Sequence, residues 1–167
     1  DDKTVLAGIW RDELADAITP YIHPSCLCTT VDFIESRKLR FDTVDISPEA
    51  KVDTLSVFTR VATAANLKVH KLHRTNRNQV HRLMAGIYGD MIYHHGAGSR
   101  GRFSFWDEPL TEAVLQRNAH LRQLLNRIII EHRDYFMEWL RGNNDGETGA
   151  SPVFGELLRQ LQKGSPA

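Results

Sequence analysis

The sequence predicts a mainly α-helical protein, a bundle of four to five helices with one or two short extended segments. Three observations lead there. Apolar residues recur at three- and four-residue intervals along much of the chain. Ser47-Pro48-Glu49, Asp107-Glu108-Pro109 and Ser151-Pro152 have the chemistry of helix starts: a capping oxygen or carboxylates, and a proline suited to the first turn. Asn66 and Gly96 stand where such helices would stop, because both residue types tolerate the left-handed conformation. The chain has 167 residues, enough for one substantial core. The organisation expected is a single helical domain over 1–141, a linker over 142–150, and a C-terminal amphipathic helix and tail over 151–167.

In chain order, Val5, Leu6, Ile9, Trp10, Leu14 and Ile18 fall at helical spacing and predict a first helix from Thr4 to about Tyr21, ended by Pro20 and Pro24. Cys28 to Ile34 and Leu39 to Ile46 are rich in β-branched and aromatic residues and are the candidate extended segments. Ser47 opens a helix that carries Val52, Leu55, Phe58, Val61, Ala62 and Ala65 on one side and stops at Asn66. Val80, Leu83, Met84, Ile87, Met91 and Ile92 predict another over residues 76–95. A glycine loop follows from Gly96 to Arg102, then a short extended Phe103-Ser104-Phe105-Trp106. The longest helix spans residues 110–141, with Val114, Leu121, Leu125, Ile128, Phe136 and Trp139 in a stripe broad enough for a globular core. A homodimer paired through this helix is the alternative use of the stripe. Val153, Phe154, Leu157, Leu158 and Leu161 give the last helix its apolar face.

Cys26 and Cys28 are one residue apart, which suits neither a disulfide framework nor a zinc finger, and they read as a pair of semi-buried thiols. No apolar run approaches the ~18 residues of a membrane span. Asp1-Asp2-Lys3 has no apolar stretch after it, so the expectation is an intracellular protein without a secretory signal.

Net charge is zero, 21 basic against 21 acidic side chains, yet the charges are segregated. Residues 1–53 carry a balance of −5, residues 54–106 of +7 and residues 107–167 of −2. Between Thr54 and Gly89 there is no acid, and five of the eight histidines lie in the middle third. A generally basic protein is excluded; a local basic site is not.

Within that region, Phe58 to Thr75 resembles a helix-turn-helix of the tetracycline-repressor type: Ala62 stands at the small packed position, Asn66 in the turn where the family has glycine, and Leu67 and Leu72 at later apolar positions. Thr75 stands where a further core residue belongs, and the segment is central rather than N-terminal. The resemblance implies a second helix in the major groove and phosphate contacts that fix its register. On that basis Lys68, Lys71, Arg74, Arg77 and Arg82 would contact phosphates, His70 and His73 would reach base edges, and Arg100 and Arg102 would extend the footprint. The expected partner is nucleic acid, DNA rather than RNA. The competing expectation is a protein-interaction or oligomerisation module built on the long helix and on Phe154 and Leu157.

Enzymatic readings are poorly supported. Gly96-Ala97-Gly98-Ser99-Arg100-Gly101 has the glycine spacing of a dinucleotide fingerprint, but helix precedes it and extended chain follows, the reverse of what phosphate binding at a helix start needs. No lysine lies between Lys71 and Lys163 to complete a kinase-type loop. Arg127 with His132, and Arg74 with His81, match the arginine–histidine spacing of HEPN-type ribonucleases, about as often as chance allows. His70 with His73, and His94 with His95, lack a nearby carboxylate or thiolate to complete a metal site. No catalytic residue, metal ligand or cofactor is assigned.

Overall fold

Thr4–Arg11 form a strand, β1, where the sequence predicts a helix. In the computed structural model the described residues are 3–13, 19–41, 55–80, 84–96, 109, 111–146 and 152–163. Leu6 and Ile9 are both buried although they lie on opposite faces of β1. A strand covered on both sides carries an apolar run without alternation, and a short run of that kind is indistinguishable from helix by periodicity. Gly8 marks the extended conformation: φ is +153°, and a Cβ there would come within 2.1 Å of the Cys26 carbonyl oxygen. Only glycine tolerates that approach.

Tyr21–Thr29 form β2, antiparallel to β1 with Ala7 opposite Cys28 and Gly8 opposite Leu27, then Trp10 opposite Ile22. Between those pairs β2 carries extra residues, His23-Pro24-Ser25-Cys26, as a bulge. The bulge accommodates Pro24, which has no N–H for a ladder, and His23 Nδ1 accepts from the Ser25 backbone N–H at 3.1 Å. Val31–Ser36, of which the sequence predicts residues 31–34 to be extended, are a short helix α1; the Thr30 hydroxyl accepts from Phe33 N and caps it. α2 spans Ser56–Ala64. Its expected start at Ser47 lies outside the described residues. Its end agrees with expectation: Asn66 is left-handed at φ +51° and Leu67 N–H returns to the Ala62 carbonyl. Lys68–Leu72 then form β3, parallel to β1, giving the sheet order β2-β1-β3.

These elements form one of two compact units, residues 1–74 and 88–91. Its core is Leu6, Ile22, Phe33, Leu55, Phe58 and Ala62, with Val69 and Trp10 packed at its margin. A buried hydrogen bond ties helix to sheet: Ile22 N–H donates to Thr59 Oγ1 at 2.8 Å.

The other unit comprises residues 75–87 and 92–167. The helix predicted over 76–95 does not form; Gly86–Tyr88 (β4) and Ile92–His94 (β5) pair as two short strands. The physical reason is Asn76, whose amide donates to Ala85 O at 2.8 Å and whose carbonyl accepts from Ile87 N, offering the backbone an alternative to helical bonding. Asn78 likewise donates to Trp139 O at 2.8 Å. Left-handed residues at Ala85, Gly89 and Asp90 interrupt any helix there.

The long helix is present as α3, Glu112–Arg141, capped by the Thr111 hydroxyl on Val114 N and closed by left-handed Gly142. It bends at His132, whose φ of −138° is not helical. α4 spans Pro152–Lys163 and folds back onto α3, burying Phe154, Leu157, Leu158 and Leu161 against Ile128, Phe136, Trp139 and Leu140. Gly146 packs closely against both helices, since a Cβ there would meet Leu158 and Trp139 at 2.7 and 3.0 Å.

Among the described residues, four helices and five strands in two sheets make an α/β mixture, which corrects the mainly α-helical bundle and the all-α description. Among the described residues no helix is long and apolar enough to cross a membrane.

Candidate nucleic-acid interface

The structure places the basic segment on a strand instead of a second helix. Residues 58–75 run helix, turn, strand: Ala62 is buried and Asn66 makes the turn, but Lys68–Leu72 pair with β1. The helix-turn-helix geometry is therefore corrected at its recognition element. This changes which side chains converge. A helix would align Lys68, Lys71 and Arg74 or Thr75 on one side. On β3 the period is two: Val69 joins the core on the α2 side of the sheet, Lys71 and His73 follow on that side beyond it, and Lys68 and His70 alternate to the other.

Lys71 and His73 meet residues that the charge pattern did not single out. Lys71 Nζ sits 3.9 Å from the centre of the Trp10 ring, a cation–π contact. The His73 ring stands edge-on to Trp10 with centroids 6.5 Å apart, and His73 Nδ1 is 3.5 Å from Asp12 Oδ2. Lys68, His70, Lys71 and His73 are all exposed. This cluster lies where the parallel strands β1 and β3 end.

Arg74 behaves differently. Its side chain is only 9% exposed and lies 3.9 Å from Glu13 Oε1, while Arg11 Nε is 3.0 Å from Glu13 Oε2. The Tyr88 hydroxyl donates a short hydrogen bond to Glu13 and accepts from Arg11 at 3.5 Å. Burial holds the Arg74 guanidinium below its ordinary value, opposed by Tyr88 and Glu13. Burial likewise pushes the Tyr88 phenol upward, so it stays a donor. Two cations around one buried carboxylate form a structural knot, and Arg74 does not present its charge to a ligand.

Arg77 belongs to the other unit, where its N–H donates to Leu140 O and its stem packs against Gly142. Arg82, Arg100 and Arg102 lie outside the described residues, as does His81. Arg127 and His132 both reach Glu131, with His132 Nε2 3.9 Å from its Oε2. Arg127 is held by Glu131 at 3.0 and 3.1 Å, and the His132 ring packs edge-on against Phe154 at 5.7 Å. Among the described residues no group of three or more His, Cys, Asp or Glu side chains is placed to hold a metal ion.

Trp10, Arg11, Asp12, Glu13 and Tyr88 are thus the site residues that sequence reasoning missed. Their signal is the abrupt change from an apolar run to Arg11-Asp12-Glu13, which marks the end of a strand as readily as a helix face. Against known proteins, the chain matches no family model, no curated protein and no solved structure.

Proposed function

We propose that the first unit binds a nucleic-acid strand across the outer edge of β3, with Trp10 as a stacking platform, Lys71 on a phosphate on that face and Lys68 on a second phosphate reached around the edge. The observation that carries this is the Lys71–Trp10–His73 cluster: an exposed lysine and histidine beside an aromatic ring, with Asp12 at its margin. A base entering over Trp10 takes the position Lys71 Nζ now occupies, and Lys71 moves to the adjoining phosphate. Stacking of this kind is sequence-tolerant and favours single strands, whose bases are free to leave their neighbours.

Binding of a fluorescently labelled single-stranded 20-mer, read by anisotropy over a salt series, tests this. Two phosphate contacts at ~0.7 per phosphate give a log–log slope near −1.4, shallower than a recognition helix with five basic contacts would show. Lys68→Ala with Lys71→Ala removes that slope and the binding together. No detectable affinity at low salt refutes the reading, and equal or tighter binding of duplex refutes the stacking component.

A further inference from the structure

Beside Trp10 the structure brings together two groups that binding alone does not use. His73 Nδ1 is 3.5 Å from Asp12 Oδ2, and both side chains are open to solvent, 60% and 40% exposed. The carboxylate holds the imidazole proton on Nδ1 and leaves Nε2 as the acceptor, the arrangement in which an acid orients a histidine to act as a general base. The His73 ring lies at 62° to the indole with ring centres 6.5 Å apart, so it stands close to Trp10 without stacking on it. Lys71 Nζ is 3.9 Å from the centre of the same indole ring. A proton acceptor, a cation and an aromatic face thus share one corner of the sheet, where β1 and β3 end.

We propose that this corner cleaves single-stranded RNA, with His73 as general base, Lys71 as the cation on the reacting phosphate and Asp12 as the residue that positions His73. The proposal rests on the reading that a strand binds over Trp10, and adds to it the class of nucleic acid. A nucleotide whose base lies on the indole brings its own ribose and 3′-phosphate beside the ring, within reach of His73, and Lys71 moves from over the ring to that phosphate. RNA carries its own nucleophile there, the ribose 2′-hydroxyl that DNA lacks.

His73 Nε2 takes the 2′-hydroxyl proton. The 2′-oxygen forms a bond to phosphorus as the bond from phosphorus to the 5′-oxygen of the next nucleotide breaks. That 5′-oxygen takes a proton from water and His73 returns its own to solvent, so none is consumed overall. The products are a 2′,3′-cyclic phosphate and a 5′-hydroxyl end. Lys71 offsets the negative charge that gathers on the phosphate oxygens as phosphorus becomes five-coordinate.

The test uses the full chain with two fluorescently labelled 20-mers of one sequence, RNA and its 2′-deoxy form, in the presence of EDTA. Anisotropy gives the affinity for each strand, and gels then follow cleavage at protein concentrations that saturate the RNA. The RNA is expected to be cut to fragments with cyclic phosphate ends, and the deoxy strand to be bound and left intact. At saturation His73→Ala slows cleavage by about 100-fold or more, the ordinary contribution of a general base, and Asp12→Asn by about 10-fold, with kcat changed more than KM. Circular dichroism checks the fold of each variant, and His73→Gln replaces the alanine variant should that one misfold. Both strands bound with the RNA uncut overturns the cleavage proposal alone, whereas neither strand bound overturns it together with the binding reading. Cleavage undiminished in His73→Ala or in Asp12→Asn, or fragments that end in 3′-hydroxyl groups, would also overturn it.

Discussion

Arg74 separates two physical accounts of the basic segment. As a phosphate contact, Arg74→Ala would weaken nucleic-acid binding, flatten the salt slope by about 0.7 and leave folding untouched. As the buried partner of Glu13 it should do the reverse. Its side chain is 9% exposed, as is that of Glu13, so little solvent is present to screen the charge that the substitution leaves behind. Breaking a buried pair costs about 3–5 kcal/mol, and Arg11, 3.0 Å from the same carboxylate, keeps Arg74→Ala at the lower end, about 3 kcal/mol. That is a lowering of Tm by roughly 6–12 °C for a chain of this size. Glu13→Gln should cost more, about 5 kcal/mol, because it strands two guanidinium groups instead of one carboxylate that still has a partner. Urea unfolding of the three proteins, followed by circular dichroism, measures both values and their order. If Arg74→Ala unfolds like wild type while the salt slope of the fluorescent 20-mer falls, the buried-pair account is wrong.

Three further outcomes follow from the fold. Gly8→Ala should destabilise the first unit by about 3 kcal/mol or more, because φ is +153° and the new Cβ meets the Cys26 carbonyl oxygen at 2.1 Å; a melting curve matching wild type would refute the assigned register of β1 and β2. Thr59→Val should cost about 1–3 kcal/mol in chemical denaturation by orphaning the buried Ile22 N–H, and Thr59→Ser, which keeps the oxygen, should cost less. Burial holds His95 below its ordinary value of 6.5, opposed by its hydrogen bond with Asn126, so on acidification the unfolded chain takes up the proton first. Stability is therefore retained above that value and falls as the pH drops from about 7 toward the depressed folded value; Tm measured at pH 7.5 and 5.5 should show a larger drop in wild type than in His95→Gln.

The sequence made the helices of the second unit legible because their information is local. α3 has a capping threonine, a stripe of apolar residues at helical spacing and a closing glycine within one segment, and α4 has proline at its first turn. The end of α2 was legible for the same reason: Asn66 adopts the turn conformation whatever follows. The strands were not, because their evidence is distributed. β1 is buried on both faces, so alternation is erased, and its partner β3 lies beyond two helices in the chain. Asn76 had the same effect on residues 76–95, where polar side chains take backbone partners that no periodicity records.

For the candidate site, composition located the segment and geometry decided its chemistry. The excess of positive charge in the middle of the chain identified Lys68, His70, Lys71 and His73, and these are exposed. Helical spacing grouped them with Arg74, yet a strand turns alternate residues to opposite faces, so the segment divides. Lys71 and His73 meet Trp10 and Asp12, while Arg74 meets Glu13, Arg11 and Tyr88. Neither set of partners is near in sequence; the parallel pairing that aligns the ends of β1 and β3 delivers Trp10, Arg11, Asp12 and Glu13, and an antiparallel bridge to Arg74 delivers Tyr88. A count of basic residues therefore overstates the charge this surface presents: the buried carboxylate of Glu13 balances part of it inside the fold. The useful quantity is the number of cations left facing solvent beside Trp10, and the slope of binding against salt measures that number directly.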